Sequence, residues 1–286
     1  MFSKVLIANR GTIRAKCVQA VKELGAKAAV FYTDLDNMSH GVRMADEAYP
    51  LGLGEPTRAY YDSDRIVELA VRIGADAVHP GYGFLAENLD FAKSLAERNI
   101  KFIGPDEQTL ARVTNKPLMK EEARKVGMKT IPASERCSDF ARLKLSAKEI
   151  GYPLVLKPVS SSGGTGMTLI SKESELRSSY DSFLNRSERF KLSIRDVFIE
   201  KYLEKARHIE FPVLRDSSGN MLILPEVEAS IQRRFQKLLV ETPSPFKDRN
   251  LIRELALLSR RLIDKLDYVG LASVEFIISG KNAYFN

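Results

Sequence analysis

The chain has 286 residues, 44% of them hydrophobic, and its lysines and arginines outnumber its acids by a formal charge of +7. That length can bury a substantial core and divides into about two domains, while no apolar run reaches the ~18 residues a membrane span requires. The basic residues are interspersed with acids, tryptophan is absent, and no aromatic–basic interleaving offers a base-stacking platform; nucleic acid and membrane are therefore not expected partners, and small anions explain the bias at least as well.

Residues 4–8 (Lys-Val-Leu-Ile-Ala) form an apolar run that suits a buried parallel strand. With a strand so close to Met1, no signal peptide is expected. The two cysteines, Cys17 and Cys137, lack metal-ligand spacing, and a reducing, cytoplasmic compartment is expected. After a tight turn at Asn9, Arg10 and Gly11, apolar residues at Ile13, Cys17, Ala20, Val21 and Leu24 recur at helical spacing. Cys17 on that apolar face reads as core. Gly25 falls where a helix end favours a left-handed residue, and residues 28–31 give the next strand. The alternation continues with a helix through Ile66, Leu69, Ala70 and Ile73, stopped by Gly74, a strand at 77–79, a helix at 88–97 and a strand at 101–104. Strands alternating with helices predict a parallel sheet covered on both faces. Ligands of such sheets gather at the carboxyl ends of the strands, where the turns at 8–11 and 79–88 fall.

A helix begins near Asp106, and Asn115, Lys116 and Pro117 follow its end. A helix at 140–150 precedes Tyr-Pro-Leu-Val-Leu-Lys-Pro (152–158), a short buried strand delivering Lys157. Residues 160–166 (Ser-Ser-Ser-Gly-Gly-Thr-Gly) are small, and 167–170 return as a strand. Glycines at such a tip let backbone N–H groups crowd around an anion; taken alone, the segment fits a phosphate lid and a flexible surface hairpin equally. A helix over 171–184 and a strand over 197–200 follow. Residues 208–214 alternate with period two, Asp216–Asn220 is a strong turn signal, and 221–224 return as a hairpin. The helix at 250–266 carries Leu251, Leu255, Leu258 and Leu262 on one face. The strand at 270–278 holds a single acid, Glu275. A carboxylate in so apolar a strand must face solvent, be paired, or bind metal.

The apolar strand ending in Glu200, Lys201, Tyr202 and Leu203, followed by Arg207, His208, Ile209 and Glu210, resembles the adenine hinge of ATP-grasp enzymes. The turns at 8–11, 79–88 and 102–105, together with the run Ser-Ile-Gln-Arg-Arg-Phe-Gln-Lys (230–237), extend the resemblance over essentially the whole chain to the biotin carboxylase branch of that superfamily. The resemblance implies an α/β fold. A Rossmann-like parallel-sheet domain over 1–113 would precede an ATP-grasp domain over 114–286, with a lid at about 132–203 and a partial C-terminal sheet at 204–286.

It also implies ATP-dependent carboxylation of biotin by bicarbonate, through carboxyphosphate. By this resemblance Lys116, Lys157 and the glycines Gly163, Gly164 and Gly166 would hold ATP phosphates, with Glu200, Lys201 and Leu203 at the adenine. His208 and Gln232 would meet the nucleotide, Lys237 the bicarbonate as the catalytic cation, and Glu275 Mg²⁺ or Mn²⁺. Tyr82 and Gly83 would line the pocket for the biotin ureido ring; read without the family, Tyr82 is a half-buried loop aromatic. The partners implied are a biotin carboxyl carrier protein or domain, a carboxyltransferase subunit, and a second copy in a full-length homodimer.

The chain departs from the family at Thr12 and Arg14, at Ser161, Ser162 and Thr165 in the lid, and at Glu228, Ala229, Phe235 and Val240. These changes weaken the expected grip on phosphate. In the family, a second metal-binding Glu and the Arg-x-Gln-Val-Glu-His run come after the position of Asn286, so the chain as it stands is expected to turn over poorly. Two other readings are another ATP-grasp ligase, such as a carbamoyl phosphate synthetase half, and a non-catalytic nucleotide-binding relative.

Overall fold

The computed structural model describes residues 2–52, 56–137, 139–158, 167–189, 197–233 and 236–286. Gly163, Gly164 and Gly166 of the expected lid, and Phe235, lie outside them. The chain divides into two compact units, Met1–Thr114 with Tyr268–Gly270, and Asn115–Asp267 with Leu271–Asn286. Among the described residues no helix is long and apolar enough to cross a membrane.

In the first unit the apolar runs become parallel strands. These are β1 (Lys4–Ile7), β2 (Lys27–Tyr32), β3 (Glu47–Pro50), β4 (Ala77–His79) and β5 (Lys101–Phe102), in the order β3-β2-β1-β4-β5. The intervening helices are α1 (Gly11–Glu23), α2 (His40–Met44), α3 (Pro56–Ala59), α4 (Ser63–Arg72), α5 (Leu89–Ala96) and α6 (Glu107–Val113). Strand side chains alternate between two cores, as period two demands. Leu6, Ala29, Phe31 and Val78 join residues of α4 and α5 on one face, while Val5, Ile7, Val30 and Ala77 meet Cys17, Val18 and Val21 of α1 on the other. Asp62, Asn88 and Asp106 accept hydrogen bonds from the first-turn amides of α4, α5 and α6, which fixes where those helices start. The sequence gives no apolar run at β3, whose burial pattern alternates around a polar edge.

The second unit opens with α7 (Lys116–Lys125), capped by Asn115, and α8 (Phe140–Ile150), capped by Asp139. Strands β6 (Leu154–Pro158), β7 (Thr168–Ile170) and β8 (Val197–Lys201) form an antiparallel sheet in the order β7-β6-β8. Helix α9 (Glu173–Arg189) packs on it with α8 through Leu143, Ala147, Leu176, Tyr180 and Phe183. The larger sheet comprises β9 (Arg207–Arg215), β10 (Met221–Ile223), β11 (Val227–Arg233), β12 (Gln236–Glu241), β13 (Gly270–Ser279) and β14 (Asn282–Phe285). Its order is β12-β11-β9-β13-β14, with β10 paired to β9. Ile209, Phe211 and Val213 of β9 and Val274, Phe276 and Ile278 of β13 turn to the buried side. Helix α10 (Arg249–Leu266) lies against β9, burying Ile252, Leu255, Leu262 and Leu266. By the same alternation His208, Glu210 and Glu275 turn to the opposite face, where polar chemistry can gather.

Candidate active site

Strand register assembles the first cluster. Gln232 of β11 pairs with Lys237 of β12, and Val227 of β11 pairs with Glu210 of β9. His208 and Glu210 stand two residues apart on β9, and β13 beside it supplies Glu275. His208 Nε2 lies 3.3 Å from a carboxylate oxygen of Glu210 and 3.3 Å from one of Glu275. Its Nδ1 is 2.8 Å from Gln232 Nε2, an arrangement in which Gln232 donates and fixes the ring. The Lys237 ammonium contacts Glu210 closely and Glu275 Oε1 at 3.2 Å. Asn286 Nδ2 donates to Glu275 Oε2 at 3.1 Å. Four of the residues expected at the site (His208, Gln232, Lys237 and Glu275) therefore meet on one face of one sheet.

The electrostatics follow from the neighbours. Burial alone would raise the Glu275 carboxyl, but His208 beside it and the Lys237 charge hold it down to about 2. Burial alone would lower the Lys237 ammonium, yet the Glu210 and Glu275 carboxylates raise it above the ordinary lysine value. Lys237, expected to hold an anion, is thus engaged by two carboxylates. Potential donor atoms of His208, Glu210 and Glu275 lie within 4.8 Å of one another. Two carboxylates suit Mg²⁺ or Mn²⁺, hard cations that prefer oxygen, whereas the imidazole is already oriented by Gln232. Glu210 enters the sequence only as part of the hinge motif, with no role of its own; its position two residues after His208 in a period-two strand is the signal for one.

The second cluster lies around Glu200, which is 2% exposed. One of its carboxylate oxygens meets the Lys157 ammonium and the other meets that of Lys120. Lys157 arrives from β6, whose register sets it beside Phe198 of β8. Lys120 comes from α7, and the Phe198 ring lies 5.4 Å from its ammonium. Burial would raise the Glu200 carboxyl, and the two lysines hold it below the usual carboxylate range. Lys120 was also missed, although it sits one helical turn after Lys116 on the same face of α7. Lys116 itself begins α7 and is exposed. The Lys201 ammonium donates to the carbonyls of Gly151 and Tyr152 at 3.0 and 2.8 Å, which ties β8 to the start of β6. Leu203 follows β8 and is half-buried.

In the first unit, the order β3-β2-β1-β4-β5 changes direction between β1 and β4, the point where open α/β sheets bind ligands. The turns after these two strands meet there. Asn9, 1% exposed, donates through Nδ2 to the carbonyls of Pro80 at 2.7 Å and Tyr82 at 2.9 Å. His79 Nδ1 accepts from the Gly81 amide at 2.9 Å. Gly81 has φ +65°, and a Cβ there would stand 2.6 Å from Asn9 Nδ2, so the close approach requires glycine. The turn holds Tyr82, 71% exposed, followed by Gly83 at φ +69°. Tyr82 is thus outward-facing on a pinned backbone, rather than half-buried.

Residues 1–110 match the biotin carboxylase N-terminal domain, and residues 115–286 match the ATP-binding domain of the carbamoyl-phosphate synthase L chain. The chain is 39% identical to the 2-oxoglutarate carboxylase small subunit of Hydrogenobacter thermophilus, over 100% of this chain and 60% of that one. It is 37% identical to biotin carboxylase 1 of Bacillus subtilis, over 97% of this chain and 62% of that one. Among solved structures, the biotin carboxylase domain dimer of the Hydrogenobacter thermophilus enzyme, in complex with MgADP, ADP and bicarbonate, is similar with a TM-score of 0.93 at 39% identity. That likeness covers 100% of this chain and 63% of the other. The biotin carboxylase of Campylobacter jejuni in its β,γ-ATP complex also gives a TM-score of 0.93, at 33% identity, over 100% of this chain and 64% of that one. The chain thus spans about 60% of the length of these two curated relatives.

Proposed function

The chain belongs to the biotin carboxylase family, and from that premise we propose that it serves ATP-dependent carboxylation of biotin by bicarbonate, as a component of a biotin-dependent carboxylase. The observation that carries the reading is the convergence of His208, Gln232, Lys237 and Glu275, with Glu210, on one sheet face. In this reading Glu275 and Glu210 would hold Mg²⁺ or Mn²⁺, and Lys116 and Lys157 supply positive charge for the nucleotide phosphates. Bound metal would polarise the transferring phosphoryl group and neutralise its charge. Lys201, Leu203 and the backbone of Glu200, whose carboxylate is taken up by Lys120 and Lys157, border the base, and His208, fixed by Gln232, meets the nucleotide.

Lys237 holds bicarbonate, and a fixed ammonium suits that task because bicarbonate and carboxyphosphate are both anions. Its present partners, Glu210 and Glu275, are the carboxylates that would hold a divalent cation, so a bound anion would take their place as the partner of the ammonium. The Tyr82–Gly83 turn receives the biotin ring. An ATP-binding domain of this kind is shared with carbamoyl-phosphate synthase, whereas the N-terminal match over residues 1–110 favours biotin as acceptor. The proposed partners are a biotin-bearing carrier, a carboxyltransferase, and a second copy of the chain, as in the dimeric Hydrogenobacter thermophilus domain.

The test is calorimetric titration of MgADP and bicarbonate into the protein, followed by an assay of biotin-dependent ADP release. Binding of both ligands, with bicarbonate binding lost in Lys237→Ala, is the expected result. A protein that binds no nucleotide at millimolar concentration would overturn the reading.

A further inference from the structure

Two ammonium groups share one carboxylate at Glu200. Its side chain is 3% exposed, and those of Lys120 and Lys157 are 12% and 15% exposed. Among the described residues neither lysine forms an ion pair with a second carboxylate, so the cluster carries one positive charge more than it neutralises. A surplus charge out of water is costly unless an anion meets it. The Phe198 ring, 5.4 Å from Lys120, offers the cation only a weak partner. Burial also pushes the Lys120 ammonium below its ordinary value against the pull of Glu200, which accords with an excess of positive charge.

We propose that Lys120 is the standby counterion that lets Lys157 leave Glu200 for the phosphates of a bound nucleotide. The inference rests on the functional reading above and adds a positioning residue to it. If Glu200 had Lys157 alone, moving that ammonium to a phosphate would strand a carboxylate that is 2% exposed. Breaking a buried pair in this way is strongly unfavourable, because it leaves an uncompensated charge. With Lys120 on the other oxygen, Glu200 keeps a partner throughout, and only the surplus ammonium is given to the ligand. The arrangement stores a mobile cation beside a fixed one. Lys120 never touches the nucleotide in this account; it acts through Lys157.

The test is calorimetric titration of MgADP and of adenosine into the wild-type chain and four variants. In Lys120→Met, MgADP affinity should fall at least about tenfold, since Lys157 is then retained by Glu200. Adenosine, which has no phosphate, should bind as it does to the wild type. The double variant Lys120→Met/Glu200→Gln should regain MgADP affinity to within about threefold of wild type, because a neutral amide needs no counterion. Lys120→Arg should bind like wild type. A direct phosphate contact by Lys120, or a merely structural role, would not be rescued by Glu200→Gln, and either result would overturn the proposal. If Lys120→Met does not fold, Glu200→Gln alone decides: MgADP binding at least as tight as wild type supports the proposal, and weaker binding with adenosine affinity kept overturns it. Failure of the wild type to bind MgADP at all would remove the functional reading as well, whereas normal wild-type binding with an unaffected Lys120→Met removes only this inference.

Discussion

Lys237 Nζ sits 3.2 Å from Glu275 Oε1, and the same ammonium contacts Glu210, so a lysine stands against both carboxylates that suit a divalent cation. The two cations compete for the same oxygens. Removing the lysine charge in Lys237→Met should therefore tighten Mn²⁺ binding, by roughly two- to fivefold given the partial exposure of the pair. Electron paramagnetic resonance of free Mn²⁺ measures this directly. Weaker Mn²⁺ binding in the variant would show that the lysine supports the metal site instead of competing for it.

Much of this arrangement was legible in the sequence, and for identifiable reasons. The apolar runs at β1, β2 and β4 follow a period of two and α10 one of 3.6 residues, which local sequence carries. In α10 Leu255 and Leu262 are buried as expected, while Leu251 and Leu258 are half-buried and Ile252, Ile263 and Leu266 complete the face. The strand pair around Lys157 was bounded by its glycine-rich loop. Lys120 could not be assigned in the same way, because its partner Glu200 lies 80 residues away and only packing of α7 brings them together. β3 was illegible because its four residues, Glu-Ala-Tyr-Pro, hold no apolar run and gain their order from pairing with β2. The apolar strand around Glu275 signals that the acid needs a partner, but that Lys237 and His208 both answer depends on strand order, which no local pattern encodes.

Glu275 should make stability depend on acid. Its carboxyl, at about 2 instead of the ordinary 4.5, is depressed by His208 and Lys237 against burial, with Asn286 also donating to it and the Glu210 carboxylate nearby. A depressed folded value means that the contribution is present above the unfolded pKa and lost as pH falls through the folded one. The stabilisation should therefore fade between about pH 4.5 and pH 2. Thermal unfolding of wild type and Glu275→Gln should differ at pH 6 by a few degrees, since ~1 kcal/mol corresponds to about 2–4 °C in a chain of this size. The two curves should converge by about pH 2. A constant difference across that window would mean the charge of Glu275 contributes nothing.

The turn that carries Tyr82 gives a contrast between two glycines of equal backbone sign. Gly83, at φ +69°, has open space where a Cβ would be, so Gly83→Ala should cost only the left-handed penalty of about 1–2 kcal/mol. Gly81, at φ +65°, would place the methyl 2.6 Å from Asn9 Nδ2 and 2.8 Å from Ile13 Cγ2. Gly81→Ala should add roughly 1–3 kcal/mol of overpacking and loosen the bonds from Asn9 to Pro80 and Tyr82. Urea unfolding monitored by tyrosine fluorescence measures both. Equal losses would mean that Asn9 yields without strain.

Arg14 is fully buried in the first unit, where Nη2 meets Asp36 Oδ2 at 2.5 Å and contacts the Tyr60 hydroxyl, while Nε donates to the Asn9 carbonyl at 2.9 Å. Asp36 also accepts from the Thr33 amide and hydroxyl and from Tyr60 at 2.6 Å. Burial would raise the Asp36 carboxyl, and these donors together hold it below its ordinary value. Since each partner compensates the other out of water, Arg14→Met should cost ~3–5 kcal/mol by stranding the carboxylate. Asp36→Asn should cost a similar amount by stranding the guanidinium. Arg14→Lys should fall short of rescue, because one ammonium cannot reach Asp36, Tyr60 and the Asn9 carbonyl in the geometry of a planar fork. The combined Arg14→Met/Asp36→Asn variant should lose less than the sum of the single losses, with a coupling above ~1 kcal/mol, since neither charge is then left alone. Urea midpoints for the four variants test this. Additivity within ~0.5 kcal/mol would show that the two side chains act independently, and that the bond from Arg14 to Asn9, rather than its charge, is what the first unit uses.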